Sequence, residues 1–186
     1  MSLTSRDMNL WRQLYLSMVR PHLEYAVQVW SPYKLKNINE IERVQARATK
    51  VPTNLQQLPY EKRLELMKIT SLKERRTRGD IIQFYKSLNG IDQIDWIEDI
   101  KYRPSSNAVG PSSGLRGHKL RVERQSFNSR IQNDFCHFVE TRHNFFLNRV
   151  APSWNSLPEE VVGSKTVNTF KNLLDHHTVK AAMAHQ

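Results

Sequence analysis

The segment over residues 19–50 constrains the fold most, because two helical patterns occur there with prolines between them. Pro21 has no N–H and its φ is fixed near the helical value, so it suits the first turn of a helix and ends the helix before it. Apolar residues then recur at helical spacing from Leu23 to Trp30, until a Ser-Pro pair stops the pattern. We therefore predict a bend at Pro21, one helix ending at Trp30 and a second helix over residues 40–50.

The second helix is predicted to have an apolar side and a cationic side. The apolar side comprises Ile41, Val44, Ala48 and Val51. At about 100° per residue, Arg43, Arg47 and Lys50 fall on an adjacent side, roughly a quarter turn or more away. We expect the first side to pack inside the protein and the second to meet an acidic partner.

A large surplus of positive charge is the strongest compositional feature. The 186 residues carry a formal charge of +10, with 39% hydrophobic and 25% charged residues, which indicates a folded chain that favours anionic partners. Residues 34–78 hold twelve Lys or Arg against five Glu, a balance of +7, and residues 101–130 hold seven against one, a balance of +6. The second of these segments could fold onto nucleic acid, or be a linker kept soluble by its charge.

The composition also argues against a secreted or membrane protein. Cys136 is the single cysteine, so no intramolecular disulfide can form, and an intracellular reducing compartment, nucleus or cytoplasm, is expected. The N-terminal residues lack the apolar core of a signal peptide, and no apolar run approaches the roughly 20 residues that span a bilayer. We expect a soluble chain with no membrane partner.

The helical and turn-forming patterns predict a mainly α fold in two parts. Residues 1–100 form a helical domain, residues 101–118 a flexible linker rich in Pro, Ser and Gly, and residues 119–186 a smaller helical segment. Polar and apolar residues alternate over 119–123, which favours a β-hairpin with residues 135–139. That hairpin is the one β feature we expect.

Capping residues predict where several helices begin and end. Ser71 and Glu74 form a capping box that opens a helix running to Leu88, where Asn89-Gly90 supplies a left-handed stop. Gly79 within that helix predicts close packing against a neighbour, since Gly costs about 1 kcal/mol against Ala there. Further predicted caps are Ser5 or Thr4, Ser156 with Glu159 in a second capping box, and Thr166. The residues interpreted as core anchors are Trp11, Trp30 and Trp154.

The sequence patterns of a catalytic or metal site are missing. Two-metal catalysis needs paired carboxylates, yet the chain has no adjacent aspartates. Glu98-Asp99 lies beside the predicted linker, and Glu159-Glu160 lies in the first turn of a helix, where acid stabilises the helix dipole. Cys136-His137, His143 and His176-His177 lack the spacing of zinc ligands. We therefore predict no catalytic residue and no metal ligand in this chain.

Several blocks of the sequence resemble a known family. The first are Val19-Arg20-Pro21-His22-Leu23-Glu24-Tyr25-Ala26, Trp30-Ser31-Pro32-Tyr33 and Glu42-Arg43-Val44-Gln45-Ala46-Arg47-Ala48-Thr49-Lys50. They resemble the segment that follows the palm in reverse transcriptases of LINE-type, non-LTR retrotransposons of the jockey-like kind. Further similar blocks are Leu58–Leu64, Leu72–Asp80, Tyr85–Gly90, Arg116–His118, Trp154–Val162 and Val167–Asn172. The chain departs from the family at Ala46, where a basic residue is usual, and over residues 124–144.

The resemblance implies the thumb and post-thumb part of an RNA-directed DNA polymerase. In the whole enzyme Mg²⁺ and the catalytic aspartates belong to the palm, upstream of this segment, so the fragment would need no cofactor and would not be an enzyme on its own. It would hold the RNA or DNA template and primer by their phosphate backbones. The residues that the resemblance and the basic balance assign to this contact are Arg43, Arg47, Lys50, Arg75, Arg76, Arg78, Arg116, Lys119 and Arg121.

A helical protein-interaction module derived from such an element is the alternative interpretation. Removing the palm would expose an apolar surface, and such a patch favours association with the palm domain or with another protein. Binding to nucleic acid that weakens steeply with salt would separate the first interpretation from this one.

Overall fold

The fold is mainly α-helical, as the sequence predicts. The computed structural model describes residues 6–93, 100, 118–124 and 144–183. Its α-helices, numbered along the chain, are α1 (Met8–Leu14), α2 (Arg20–Glu24), α3 (Val27–Trp30), α4 (Leu35–Ala48), α5 (Tyr60–Met67), α6 (Leu72–Leu88), α7 (Phe146–Asn155), α8 (Glu159–Val162) and α9 (Val167–Met183). A π-helical turn, Tyr15–Val19, joins α1 to α2, and Thr53–Leu55 form a 3₁₀ turn. No regular β-strand occurs among the described residues.

The chain divides into two compact units, Met1–Gly79 and Asp80–Gln186. The division falls inside α6. Of the predicted linker at 101–118 only His118 is described, so that linker stays a prediction. Residues 119–123 form no regular strand, and their predicted partner at 135–139 lies outside the described residues.

The N-terminal helices break at residues 25–26, where the sequence did not predict it, whereas the chain stays helical through Pro21. Pro21 lies in the first turn of α2, as predicted. The helix expected to continue to Trp30 is interrupted, because Tyr25 is extended and Ala26 has a left-handed conformation with φ +49°. The cap of α1 is Asp7, whose Oδ1 accepts the Leu10 N–H at 2.9 Å, while the predicted caps at residues 4 and 5 lie outside the described range.

The buried side of α4 differs from the predicted apolar side by one position. Val44 is 41% exposed, whereas Gln45 is fully buried. The prediction for Val44 is therefore wrong. Ile41 and Ala48 still face inward in part, so the helix is turned to bury the polar Gln45 between them. The cause is a set of hydrogen-bond partners for Gln45 that hydropathy alone does not reveal.

Aromatic and aliphatic side chains form the core of the first unit. The buried members are Tyr15, Leu55, Met67 and Ile69. Trp11 packs against this cluster, and its Nε1–H donates to the Ala48 carbonyl at 2.7 Å, which confirms it as an anchor. Trp30, predicted as a second anchor, is instead 40% exposed, because the helix is interrupted at Ala26 and Trp30 is directed away from the core.

The ends of α5 and α6 have related backbone geometry. Lys68, with φ +50°, ends α5, and its N–H and that of Ile69 donate to the carbonyls of Glu65 and Leu64. This is the Schellman arrangement, in which a left-handed residue lets the last carbonyls of a helix find donors. Gly90, with φ +65°, ends α6 in the same way, as predicted.

Helix α6 begins and ends as its local sequence predicts. The Ser71 N–H donates to the Glu74 carboxylate and the Glu74 N–H to Ser71 Oγ, both at 3.2 Å, which confirms the capping box. The helix runs to Leu88. The expectation for Gly79 is wrong, because no described atom of a neighbouring element lies within 4 Å of a Cβ placed there.

The second unit is built around Trp154. The Phe84 ring meets the Trp154 ring edge-on with centroids 4.9 Å apart, and the Tyr85 and Phe170 rings stack at 4.1 Å. The Trp154 Nε1–H donates to the Leu120 carbonyl at 2.8 Å, so the third predicted anchor is confirmed. Aromatic pairs of this kind contribute about 0.5–1.5 kcal/mol beyond their buried area.

An ion pair and a cap complete the second unit. Asp80, with a side chain 5% exposed, accepts two hydrogen bonds from Arg149, at 2.7 and 3.1 Å. Thr166 Oγ1 accepts the Thr169 N–H at 3.1 Å and caps α9, as predicted. The second capping box is wrong, because Ser156 Oγ donates to Ser153 and the Glu159 carboxylate accepts the Lys119 N–H.

Candidate nucleic-acid interface

Helix α4 presents a row of exposed cations, which we call the α4 stripe: Lys36, Arg43, Arg47 and Lys50. Arg43 and Arg47 are four residues apart and lie on one side of the helix, and Lys50 follows two residues after the helix ends at Ala48. No described residue forms an ion pair or a side-chain hydrogen bond with these three. Glu40, also exposed, lies in the same row and offsets one of the four charges. At 1.5 Å per residue, the distance from Lys36 to Arg47 along the helix is about 16 Å.

Buried side chains on the opposite side hold α4 in place. The Gln45 amide bridges two tyrosines: Tyr15 Oη–H donates to Oε1 at 2.5 Å, and Nε2–H donates to Tyr60 Oη at 2.9 Å. Tyr60 in turn donates to Glu42 at 2.5 Å. Burial raises the pKa of the Tyr15 and Tyr60 hydroxyls above their ordinary value of 10.0, so both remain donors. This network fixes the rotation of α4 and with it the side that the stripe faces.

Arg63 supports the C-terminal end of α4 from beneath. It is 3% exposed, and its guanidinium donates to Thr49 Oγ1 at 3.1 Å and to the Ala46 carbonyl at 3.3 Å. A third bond, at 3.1 Å, reaches the Leu58 carbonyl. A cation at a helix C-terminus stabilises the helix dipole. Sequence counting placed Arg63 in the basic surface, but it faces inward, as its four-residue spacing from the buried Met67 could have indicated.

Arg75, a predicted phosphate contact, is engaged by an acid of its own unit. Its Nε and Nη2 donate to the two oxygens of Glu24, each at 2.9 Å, while Arg20 donates to the same carboxylate at 2.8 Å. Burial alone would raise the pKa of Glu24. The hydrogen bonds and charges of the two arginines outweigh it and hold that pKa below the ordinary 4.5. Arg75 therefore stabilises the fold. The surface has fewer unpaired cations than the number of Lys and Arg residues in the sequence suggests.

The other predicted contacts of α6 are less accessible than those of α4. Arg76 is only 4% exposed and Arg78 is half-buried. A phosphate contact needs a guanidinium or ammonium at the surface. The structure therefore brings together Arg43, Arg47 and Lys50 on one exposed row and does not add Arg75 or Arg76 to it.

An exposed apolar and aromatic segment precedes α4. Tyr25 is 78% exposed, Val29 87% and Leu35 72%. The Trp30 Nε1–H donates to the Tyr25 carbonyl at 2.5 Å. This bond connects the indole to the backbone just before the helix interruption at Ala26. The left-handed conformation of Ala26 costs an L-residue about 1–2 kcal/mol, and such strain often marks a functional segment.

The second unit contains the remaining predicted residues. Lys119 is exposed, and Arg121 lines a cleft of about 540 Å³ together with Glu123 and Arg124. Arg116 lies outside the described residues. Asn155, at the wall of the cleft, is occupied by two 2.9 Å hydrogen bonds to the Val122 backbone. The cleft has a net charge of +1 on its three charged side chains, so it is less cationic than the α4 stripe.

Comparison with known proteins adds no family. No protein-family model matches the sequence, and no curated protein or solved structure is significantly similar to it. The likeness to reverse transcriptases therefore depends on the sequence blocks alone.

Neither a cluster of metal ligands nor a membrane-spanning helix is found in the described part of the chain. Within residues 6–93, 100, 118–124 and 144–183, no three His, Cys, Asp or Glu side chains converge as metal ligands. Cys136, His137 and His143 lie outside that range. None of the described helices is long and apolar enough to cross a membrane. The feature best suited to bind a partner is the exposed cation row of α4.

Proposed function

We propose that the chain binds the template and primer of a reverse transcription complex through the α4 stripe and catalyses no synthesis by itself. Arg43 and Arg47 of α4 and Lys50, two residues beyond its end, are exposed and free of ion-pair partners among the described residues. This single observation carries the proposal. Cations that are already paired gain little from a phosphate, whereas unpaired ones release condensed counterions when they neutralise it.

The geometry of the stripe suits a nucleic-acid backbone. Its length of about 16 Å from Lys36 to Arg47 spans about five phosphates of one strand, at about 3.4 Å each. The buried bonds of Gln45 and Arg63 hold the helix rigid beneath it, so little backbone order needs to be gained on binding. Backbone contacts of this kind position a nucleic acid without reading its sequence.

The resemblance to the post-palm segment of retrotransposon reverse transcriptases supports the choice of partner. In that setting the chain would be a thumb and post-thumb fragment, and Mg²⁺ and the catalytic aspartates would belong to the palm. A primer-extension assay of the purified chain with Mg²⁺ should accordingly give no incorporation. Measurable synthesis would contradict the assignment of catalysis to another segment.

A charge-matched pair of variants tests the α4 stripe. The variant Arg43→Gln/Arg47→Gln/Lys50→Gln should flatten the slope of log affinity against log salt by about 1 for each phosphate that the variant no longer neutralises. The control Lys165→Gln/Lys171→Gln/Lys180→Gln removes the same charge from α9 and the residue before its cap, and should keep the wild-type slope. Fluorescence anisotropy on a primer–template duplex over a salt series gives both slopes. The proposal fails if the α4 variant keeps the wild-type affinity and slope.

A further inference from the structure

Aromatic side chains are concentrated and exposed just before the α4 stripe. Tyr25 is 78% exposed and Trp30 40%, although Trp is highly buried on average. Tyr33 follows three residues later and is half-buried, with the Lys34 ammonium 5.8 Å from its ring centroid. Rings that remain at the surface offer flat apolar faces to a partner.

The charge around these rings has one sign. Between Glu24 and Glu40 the chain has no acidic residue, and it has two exposed lysines, Lys34 and Lys36. Lys36 begins the α4 stripe, so the rings lead directly into the cations along the chain. Lys34 follows Trp30 by four positions, which limits the distance between their Cα atoms to about 14 Å. An anionic partner that also offers flat apolar groups would match both features.

The backbone holds the Trp30 indole in position. The Trp30 Nε1–H bond to the Tyr25 carbonyl spans the break at Ala26 and orients the indole. Ala26 adopts φ +49° without being a glycine, so the turn is maintained by its surroundings. An indole that is already oriented loses little conformational freedom when a partner binds.

From these observations we infer that Tyr25 and Trp30 form a stacking platform for unpaired bases of a single-stranded nucleic acid. The inference rests on the proposed function and names its substrate class: a strand whose phosphates lie along the α4 stripe and whose bases are free to stack. Every base has a π-face, so the platform accepts any sequence. A protein partner would gain nothing from the surplus of lysines unless it were itself acidic.

The test compares an oligothymidylate with an abasic oligonucleotide of the same length, which carries the same phosphates without bases. Stacking on an aromatic side chain is worth about fivefold to 140-fold in affinity per base. The wild-type chain should therefore bind the oligothymidylate at least about fivefold more tightly than the abasic strand. The variant Tyr25→Leu/Trp30→Leu should lose this preference and keep its affinity for the abasic strand.

A matched variant separates the rings from their hydrogen bonds. Tyr25→Phe/Trp30→Phe loses the same hydroxyl and N–H groups as the Leu variant but keeps two rings, so it should retain most of the preference. Circular dichroism melting confirms that both variants fold. Equal binding of the two oligonucleotides by the wild-type chain, with a steep salt slope, overturns the platform and leaves the α4 stripe standing. Binding of neither oligonucleotide overturns the platform, while the salt series on the duplex decides the α4 stripe separately. Self-association that the Leu variant removes, without a base preference, assigns the rings to a protein contact.

Discussion

Gln45 lies on the buried side of α4, although its side chain is polar. It is fully buried, and its amide hydrogen-bonds Tyr15, Tyr60 and the Thr70 carbonyl. Tyr15 lies 30 residues away in the sequence. No local pattern reveals a partner at that distance, so the apolar side predicted from periodicity included Val44 instead. Long-range hydrogen bonding, and not helix propensity, decides which residue faces inward.

Two substitutions at neighbouring positions test this arrangement. Val44→Asp should change the free energy of unfolding by no more than about 0.5 kcal/mol, because the side chain is exposed. Gln45→Leu should lower it by at least about 2 kcal/mol, since two buried tyrosine hydroxyls and a carbonyl lose a partner at about 1–3 kcal/mol each. Urea unfolding measures both values. A larger destabilisation by Val44→Asp would restore the side predicted from the sequence.

Lys68 is a residue whose backbone conformation favours glycine. Its φ of +50° lies in the left-handed region, which costs an L-residue about 1–2 kcal/mol. Lys68→Gly should raise the free energy of unfolding by up to about 1 kcal/mol after the entropy of glycine is subtracted. Lys62→Gly, inside the same helix, should instead lower it by about 1 kcal/mol. We expect the melting temperature to rise in Lys68→Gly and to fall in Lys62→Gly. A lower melting temperature for Lys68→Gly would contradict the backbone geometry.

At the scale of elements, the helices with local signals were the ones predicted correctly. The capping box of Ser71 and Glu74 and the stop at Gly90 define α6 within its own sequence. The second predicted box failed because Glu159 accepts an N–H from Lys119, 40 residues earlier. Of the candidate site, the exposed row of Arg43, Arg47 and Lys50 follows from helical spacing alone. Which further cations are buried or paired depends on contacts between elements, and the sequence does not show these.

The contact between α2 and α6 predicts a specific dependence on pH. The pKa of Glu24 is lowered in the folded chain by Arg75 and Arg20, which prevail over burial. A carboxyl with a depressed pKa contributes stability above its unfolded value, and this contribution disappears as the pH falls through the folded value. Stability should therefore decline as the pH drops below the ordinary value of 4.5. The Glu24→Gln variant should be less stable than the wild type at neutral pH. Below pH 4.5 its stability should change less with pH than that of the wild type.

The control for this prediction is a glutamate outside the pair. Glu40→Gln changes an exposed residue of α4, and its stability should fall below pH 4.5 as that of the wild type does. Urea midpoints between about pH 3 and 7 compare the three proteins at about unit intervals. If the stability of Glu24→Gln falls at low pH as steeply as that of the wild type, the contact of Glu24 with Arg75 and Arg20 contributes nothing to the pH dependence.

At the scale of the whole molecule, the surplus of positive charge is smaller at the surface than in the sequence. The formal charge is +10, but Arg63 and Arg76 are buried and Arg75 is paired with Glu24. Folding therefore uses part of the charge for stability. The α4 stripe stays exposed in the first unit, as do Lys34, Lys62, Lys68 and Lys73. Among these exposed cations, we propose that the α4 stripe meets the nucleic-acid backbone.

Lysine reactivity in the bound state tests that claim most directly. Lys36 and Lys50 of the stripe are exposed, as are Lys68, Lys165 and Lys180 elsewhere, so all five should acetylate readily in the free chain. Adding a primer–template duplex at low salt should slow acetylation of Lys36 and Lys50 selectively, and raising the salt should restore their rates as the complex dissociates. Mass spectrometry of each site gives the rates. If Lys36 and Lys50 keep their free rates while the duplex is bound, the α4 stripe is not the interface.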